Sequence, residues 1–174
     1  FLNNERQGGR TKGFCRLDFR AFSRYNEGVK RHFQRIVVMA YSRLKERETV
    51  FRLLFIAEHQ PELGADELLA LSEESEETAL RTPYVTETLR GAMDFAPRAT
   101  KLAASASRDW RVERMSPVLR ALLKLSLYEM LENDAIPVKV AANEAVELCK
   151  RYEDEKAARF LNGILGTLSA GGQN

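Results

Sequence analysis

The residues best suited to chemistry are basic and lie at the start of a long helical pattern. Arg43, Lys45 and Arg47 fall within five positions, and Arg52 follows shortly after them. Cations near a helix N-terminus oppose the helix dipole, so this cluster lowers the stability of the helix slightly unless a polyanion supplies the counter-charge. An ordinary solvated face explains the same residues, and the pattern alone leaves both interpretations open.

An aromatic residue, Phe55, lies two to three turns beyond this basic cluster on the same predicted helix. A ring beside cations can stack on an unpaired base while the cations hold the phosphate backbone, as in proteins that bind single-stranded RNA. The commoner place for a phenylalanine is the hydrophobic core, to which Phe55 would otherwise belong.

The chain lacks the residue patterns of enzymes. It contains no glycine-rich phosphate loop, no nucleophile elbow and no zinc-binding His–Glu motif. Its two histidines, His32 and His59, have no Cys, Asp or Glu at ligand spacing, and His59 suits the C-terminal end of its helix. Cys149 lies on the apolar side of its helix, which indicates a core thiol, and the acidic stretch 72–77 lacks the spacing of a calcium loop. We therefore predict no catalytic activity, no cofactor and no metal.

Positive charge is concentrated at the N-terminus. Residues 1–38 carry nine Lys and Arg against three acidic residues, whereas residues 39–174 carry 18 against 22, a net charge of −4. A polyanion site on the main part of the chain must therefore be a local patch. Residues 1–38 hold no periodicity for long, so we expect a basic extension that is disordered, weakly helical or not native. An RNA-gripping tail and an organelle transit peptide are two further interpretations.

Nothing in the sequence indicates secretion or membrane insertion. The opening residues lack the apolar core of a signal peptide, and no apolar run approaches the roughly 20 residues that span a bilayer. The two cysteines, Cys15 and Cys149, form no disulfide framework. We expect a cytoplasmic protein.

The main part of the chain reads as helices. From residue 42 onward apolar residues recur at helical spacing, and no run alternates as a half-buried strand would. We predict an all-α fold of about seven helices in a domain of residues 39–174. The expected helix ends are caps at Ser42, Asp66, Ser116 and Asp154, first-turn prolines at Pro83, Pro97, Pro117 and Pro137, and a stop at Gly171–Gly172. The helix after Ser116 carries leucines on nearly all sides, which indicates burial on more than one face.

Three motifs stand out in the second half of the chain: "LYEM", "IPVKVAANEAVELCKRY" and "RFLNGIL". In residues and spacing they resemble the NusB family of bacterial transcription antitermination factors. The stretch "SRLKERETVFRLLF" is similar to the family's Arg-rich opening helix, although Arg52 stands where glutamine is usual. The resemblance covers about residues 40–170. Because members of the family usually begin a few residues before this helix, the resemblance also implies that Met39 is the natural start.

This resemblance implies a fold of two small packed helical bundles and a protein without enzymatic activity. NusB-like proteins bind the boxA element of nascent ribosomal RNA transcripts together with NusE, which is also a small-subunit ribosomal protein. The complex joins NusA and NusG on RNA polymerase and suppresses premature termination.

The resemblance also implies site residues. Positions matching the RNA side of the family are Arg43, Lys45, Arg47, Phe55, Lys156, Phe160 and Asn162. The family often has a small or acidic residue where Lys156 stands, and Asn162 could instead make a hydrogen bond within the fold. The expected NusE-facing residues are Val118, Leu119 and Leu122.

Polar and small residues inside the last two helical patterns raise a separate expectation. Asn143 lies among small alanines, so we expect it to face a neighbouring helix or chain end and to hydrogen-bond its backbone. Gly163 lacks a side chain, so it would let a neighbouring backbone approach closely.

Two other classes of protein remain open. A NusB-like domain also precedes the catalytic domain of some rRNA cytosine methyltransferases, and that interpretation needs a cofactor-binding α/β domain downstream. The third interpretation is a helical protein-interaction module that does not bind RNA.

Overall fold

The computed structural model describes the backbone of residues 27–73, 82–107 and 114–171, and the side chains of residues 43–72, 82–107 and 114–170. These ranges contain six α-helices and no strand, which confirms the all-α prediction. The helices are α1 (Glu27–His59), α2 (Ala65–Glu73), α3 (Pro83–Ala106), α4 (Pro117–Leu131), α5 (Val138–Tyr152) and α6 (Glu155–Gly171). None of these described helices is both long and apolar enough to cross a membrane.

The chain divides into two units, Phe1–Ala40 and Tyr41–Asn174. Of the first unit, the structure describes only the backbone of α1 up to Ala40, and residues 1–26 of the expected extension lie outside the described residues. The second unit contains the rest of α1 and the other five helices, and the following paragraphs concern this unit.

Helix α1 begins at Glu27, so the prediction of a helix that starts at a Ser42 cap is wrong. Neither glycine nor proline occurs between Val29 and His59, so no residue interrupts the helical hydrogen bonds there. Arg43 and its basic neighbours therefore lie well inside a continuous helix. The argument that they oppose the dipole of a helix N-terminus does not apply, because the dipole acts within the first turn.

Helix α3 explains why the described ranges contain six helices rather than about seven. Pro97 was expected to open a separate short helix, but it lies inside α3. Proline lacks the N–H that would bond to the carbonyl four residues earlier, which disfavours a helix interior. The apolar stripe continues across it, with Phe95, Ala99 and Ala103 all buried, so packing of this face outweighs the local penalty.

Several predicted helix ends are confirmed. Ser116 caps α4, because its Oγ accepts from the Leu119 N–H at 3.2 Å. Asp154 precedes α6 and its Oδ1 accepts from the Ala157 N–H at 2.8 Å. Asp66, by contrast, lies within the first turn of α2 instead of capping it. The acidic stretch beyond Glu73 falls outside the described residues.

The core is centred on α4, which packs against both α3 and α5. As its leucines on nearly all sides predicted, α4 buries Leu119, Leu122, Leu123, Leu125, Leu127 and Met130. Helix α3 approaches α4 closely at Gly91, where an added Cβ would overlap the ring of Tyr128. Helix α6 packs on α5 and closes the core with Leu161, Ile164 and Leu165.

Candidate nucleic-acid interface

Arg43 lies at the surface of α1 beside an aromatic ring of α3. Its side chain is 48% exposed, and its Nη1 is 3.2 Å from Glu46 Oε2. Its guanidinium carbon lies over the ring of Tyr84, 4.1 Å from the centroid. Cation and ring attract each other in this geometry, so Arg43 is held in place while part of its guanidinium faces solvent.

Arg47, one turn further on, is buried. Only 3% of its side chain is exposed, and its Nε lies 3.1 and 3.0 Å from the two carboxylate oxygens of Glu129 on α4. Its Nη1 is 3.5 Å from Glu144 Oε2 on α5. The structure therefore corrects the assignment of Arg47 as an RNA contact. Its guanidinium pairs with the carboxylates of Glu129 and Glu144 inside the fold, and turning it outward would leave the buried charge of Glu129 unpaired.

Glu129 is the centre of this internal network. It is fully buried, and it accepts a hydrogen bond from the Tyr84 hydroxyl as well as those from Arg47. Burial by itself lowers the pKa of Arg47, but the charge of Glu129 and, to a smaller extent, Tyr84 and Glu144 leave that pKa above its ordinary value. Burial and then the charge of Glu129 raise the pKa of Tyr84. At neutral pH Arg47 is therefore a cation and Tyr84 is a neutral hydrogen-bond donor.

Lys45 is exposed on α1. Since Arg47 points inward, the accessible part of the predicted basic cluster is reduced to Arg43 and Lys45. Successive helical residues are about 100° apart, so side chains two positions apart leave the helix in different directions.

A second group of cations and rings lies where α1 meets the end of α5. We name Glu48, Arg52, Arg151 and Tyr152 the Glu48 cluster. Glu48 accepts from the Tyr152 hydroxyl at 2.5 Å and from Arg151 Nη1 at 3.1 Å, and Arg52 Nη2 lies 3.3 Å from it. Arg52 Nε also donates to the Tyr152 hydroxyl at 3.3 Å. The cluster carries two cations against one carboxylate, so it is locally positive.

Tyr152 presents an accessible ring in this cluster. Its side chain is 39% exposed, and its ring packs 4.8 Å from the buried ring of Phe51. Burial, followed by the hydrogen bond to Glu48, raises the pKa of its hydroxyl, so Tyr152 is neutral at neutral pH. Sequence reasoning missed it and Arg151 because the partners on α1 lie about 100 positions away; the only signal was the "KRY" that ends the second motif.

Phe55 lies at the edge of the hydrophobic core. It is partly buried against the core, and its ring lies 6.5 Å from Phe51. His59 packs against it at 4.6 Å and places Nδ1 3.0 Å from the Phe55 carbonyl oxygen. Phe55 thus belongs to the edge of the core while part of its ring stays accessible.

The predicted residues of α6 lie on a separate surface. Lys156 is exposed, and Phe160 is partly buried and lines a cleft of about 950 Å³ between the C-terminal end of α3, the residues before α4, and α6. Arg114 and Arg159 also line this cleft. The cleft also contains two carboxylates. Glu153 accepts a hydrogen bond from Ser116 Oγ, and Asp154 caps α6.

The polar and small residues of the last two motifs lie at the surface. Asn143 is exposed on α5 and makes no side-chain hydrogen bond within the described part of the chain, so the prediction that it faces a neighbouring backbone is wrong. Asn162 is likewise exposed on α6. A Cβ added at Gly163 would meet no atom within 4 Å, so the expected close approach of another backbone does not occur there.

The predicted partner-facing residues of α4 are mostly internal. Leu119 is 3% exposed and Leu122 is 0% exposed, so their assignment to a partner surface is wrong; Val118 is partly buried. The reason is that α3 and α5 cover two sides of α4. Among the residues whose side chains the structure describes, the exposed large apolar ones are Leu71, Leu131, Val138, Val140 and Tyr152.

The described residues contain no group of three or more His, Cys, Asp or Glu that could hold a metal ion. Cys149 is buried, as a core thiol should be, and burial followed by the charges of Glu153 and Asp154 raises its pKa to about 11. The thiol is therefore protonated at neutral pH and is a poor nucleophile.

Comparison with known proteins finds one family. The sequence matches the model of the NusB family over residues 44–170. Transcription antitermination protein NusB of Symbiobacterium thermophilum is 37% identical over an alignment of 144 residues, and the match covers 75% of this chain and 90% of that protein. The same-named protein of Desulforudis audaxviator is 37% identical over 127 residues, 71% of this chain and 90% of its own length.

Solved structures of similar fold carry the same family name. The T. maritima NusB structure has a TM-score of 0.65 and 30% sequence identity, and the match covers 74% of this chain and 90% of that one. A structure of the antitermination factors NusB and NusE in complex with dsRNA has a TM-score of 0.64 over 75% of this chain and 98% of its own. At 21% identity, that second likeness concerns the fold alone.

Proposed function

The chain belongs to the NusB family, and from this premise we propose that the protein is a transcription antitermination factor that binds the boxA element of ribosomal RNA transcripts together with NusE. Relatives of the chain are named transcription antitermination proteins. In this proposal the complex joins NusA and NusG on RNA polymerase in the cytoplasm. The protein acts by binding alone and catalyses no reaction.

The observation that carries the proposal is a run of accessible cations and rings along α1. Arg43 and Lys45 are exposed, and Phe55 follows further along the same helix. The exposed ring of Tyr152, the last residue of α5, packs beside α1 against Phe51. Single-stranded RNA is bound by stacking its bases on such rings and by placing its phosphates against Arg and Lys. We include Tyr152 and Arg151 in the RNA surface and leave out Arg47, whose donors serve Glu129 and Glu144.

The cleft beside α6 is a second candidate part of the RNA surface. Phe160 offers a partly accessible ring, and Lys156 with its basic neighbours supplies positive charge. Asn162 is exposed on the same helix and has donor and acceptor groups suited to a base edge.

In this proposal, NusE supplies positive charge that this surface lacks. Residues 39–174 carry a net charge of −4, so electrostatic attraction for RNA is local and modest. A basic partner bound beside the surface adds phosphate contacts, which raises the affinity of the complex for RNA. Of the three partner-facing residues predicted on α4, Val118 alone remains partly accessible.

A binding assay with the full chain tests the proposal. The affinity for boxA RNA and for a scrambled RNA is measured with and without NusE, at several salt concentrations. We expect tighter binding to boxA, a further gain with NusE, and weaker binding as salt rises, because phosphate contacts release counterions. Equal affinity for both RNAs in all conditions would contradict the proposal.

Two substitutions separate RNA binding from a helical module that binds only proteins. Arg43→Ala and Lys45→Ala each remove an exposed cation of α1, and Lys101→Ala removes an exposed cation of α3 as a matched control. Loss of a phosphate contact weakens binding to any sequence and lowers the salt slope by about one. If all three variants bind RNA like the unchanged protein, α1 is a solvated surface and the interaction-module interpretation is favoured.

A further inference from the structure

The Arg43–Tyr84 pair connects the exposed RNA surface to the buried network around Glu129. The ring of Tyr84 has one face under the guanidinium of Arg43, 4.1 Å from the ring centroid, and its hydroxyl donates to Glu129. Glu129 is fully buried and is held in turn by Arg47. The connection therefore runs from the core outward through one aromatic ring.

The ring of Tyr84 cannot easily leave this position. Glu129 bonds to Arg47 through both oxygens and to Tyr84 through one of them, so rotating the phenol away would remove one donor from a buried carboxylate. A buried acceptor that loses a partner is strongly unfavourable, because no water replaces it. Arg47 is fixed as well, since Glu144 of α5 binds its other side.

A fixed ring restricts the cation that lies on it. An arginine side chain on a helix surface samples many rotamers, and contact with RNA must select among them. Stacking on Tyr84 and the contact with Glu46 select the conformation beforehand, so less conformational entropy is lost when RNA binds. The guanidinium remains half-exposed, so the N–H groups on its solvent side stay able to donate to a phosphate.

We propose that Tyr84 is a positioning residue, which holds Arg43 in the orientation that contacts RNA phosphate and is itself held by the buried Glu129–Arg47 pair. The inference rests on the proposed RNA-binding function. It assigns Tyr84 no contact with the RNA; its effect on binding acts through Arg43.

A double-mutant cycle tests this role. The affinity of the full chain for boxA RNA, with NusE present, is measured for Arg43→Ala, Tyr84→Leu and the double variant over a range of salt. We expect Tyr84→Leu to weaken binding about two- to five-fold, the range that a cation–ring contact of this kind provides. The salt slope should stay unchanged in Tyr84→Leu, because Arg43 keeps its charge, and should fall by about one in Arg43→Ala. The double variant should bind no more weakly than Arg43→Ala.

Two further variants separate positioning from a general loss of structure. Phe95→Leu removes the other ring of α3 that carries an arginine, Arg98 at 5.2 Å, and should leave RNA affinity unchanged. Tyr84→Phe keeps the ring but loses the bond to Glu129, so it should fold and show a smaller loss than Tyr84→Leu. Thermal unfolding of each variant checks that the folded fraction is the same in the binding assay.

The outcomes distinguish this inference from the proposed function. Independent, additive effects of Arg43→Ala and Tyr84→Leu, or no effect of Tyr84→Leu where Arg43→Ala weakens binding, overturn the positioning role and leave the RNA-binding function intact. Failure of the unchanged protein to bind boxA RNA overturns both.

Discussion

Replacing Arg47 by alanine should destabilise the protein far more than replacing its exposed neighbours. Arg47 is 3% exposed, and it is the cation that pairs with the fully buried Glu129, at 3.0 Å, and with Glu144, at 3.5 Å. Removing one partner of a buried ion pair costs about 3–5 kcal/mol, because the remaining charge stays desolvated and unpaired. We therefore expect Arg47→Ala to lower the free energy of unfolding by about this amount, a large share of the 5–15 kcal/mol typical of a domain.

The measurement is equilibrium unfolding in urea, followed by helical circular dichroism. Lys45→Ala is the matched control, because Lys45 is an exposed cation of the same helix and its loss should change the free energy of unfolding by no more than about 0.5 kcal/mol. A second arm replaces both partners, Arg47→Leu with Glu129→Leu. Exchange of a whole buried pair for apolar residues is often neutral, so the double variant should be more stable than Arg47→Ala.

The results that refute this reasoning are specific. A loss below about 1 kcal/mol in Arg47→Ala would mean that the pair is solvated or weakly formed, as exposed ion pairs are. Loss of RNA affinity in Arg47→Ala with unchanged stability would restore Arg47 as an RNA contact and contradict its internal role. Equal free energies of unfolding for Arg47→Ala and Lys45→Ala would contradict the argument that burial makes Arg47 the more important residue for stability.

Three other perturbations test the packing, capping and protonation described above. Gly91→Ala should lower the free energy of unfolding by about 1–3 kcal/mol in urea titrations, because its Cβ meets the Tyr128 ring; Gly166→Ala, where a Cβ meets nothing within 4 Å, is the control and should not destabilise. Asp154→Ala should cost about 1 kcal/mol through loss of the α6 cap, whereas Asp154→Asn should retain most of it; equal losses in both would point to charge instead of capping. Folding raises the pKa of the Cys149 thiol from 9.0 to about 11, so its contribution to stability is complete below pH 9 and is lost as pH rises through 11. The unfolding free energy of Cys149→Ala should therefore fall less between pH 9 and 11 than that of the unchanged protein, and identical pH profiles would contradict this.

Local sequence signals were sufficient to predict most of the helical architecture. Apolar spacing marked the helices, and a Ser or Asp before the first turn marked where α4 and α6 begin. Pro97 shows the limit of such signals. Its local preference is to end a helix, but the apolar face formed by Phe95, Ala99 and Ala103 is buried without interruption, and the free energy of that burial exceeds the backbone penalty.

The site was less predictable, because the same residue type serves different purposes at neighbouring positions. Arg43 and Arg47 lie one helical turn apart and look alike in the sequence, yet one is 48% exposed and the other 3%. The difference is set by Glu129, which lies 82 positions away along the chain. The resemblance implied a partner surface at Leu119 and Leu122, whereas the leucines on nearly all sides of α4 indicated burial, and α3 and α5 do cover that helix.

By itself, the sequence determined the all-α class, the family and the stretch of α1 where accessible cations occur, because helical periodicity, capping and motif spacing are encoded among residues close along the chain. Only the tertiary structure decided which of those cations faces solvent and which neutralises a buried carboxylate. It alone brought Tyr152 to Glu48 and Tyr84 to Arg43. The physical reason is that burial and charge pairing depend on which helices pack together, and those contacts join residues far apart in the chain.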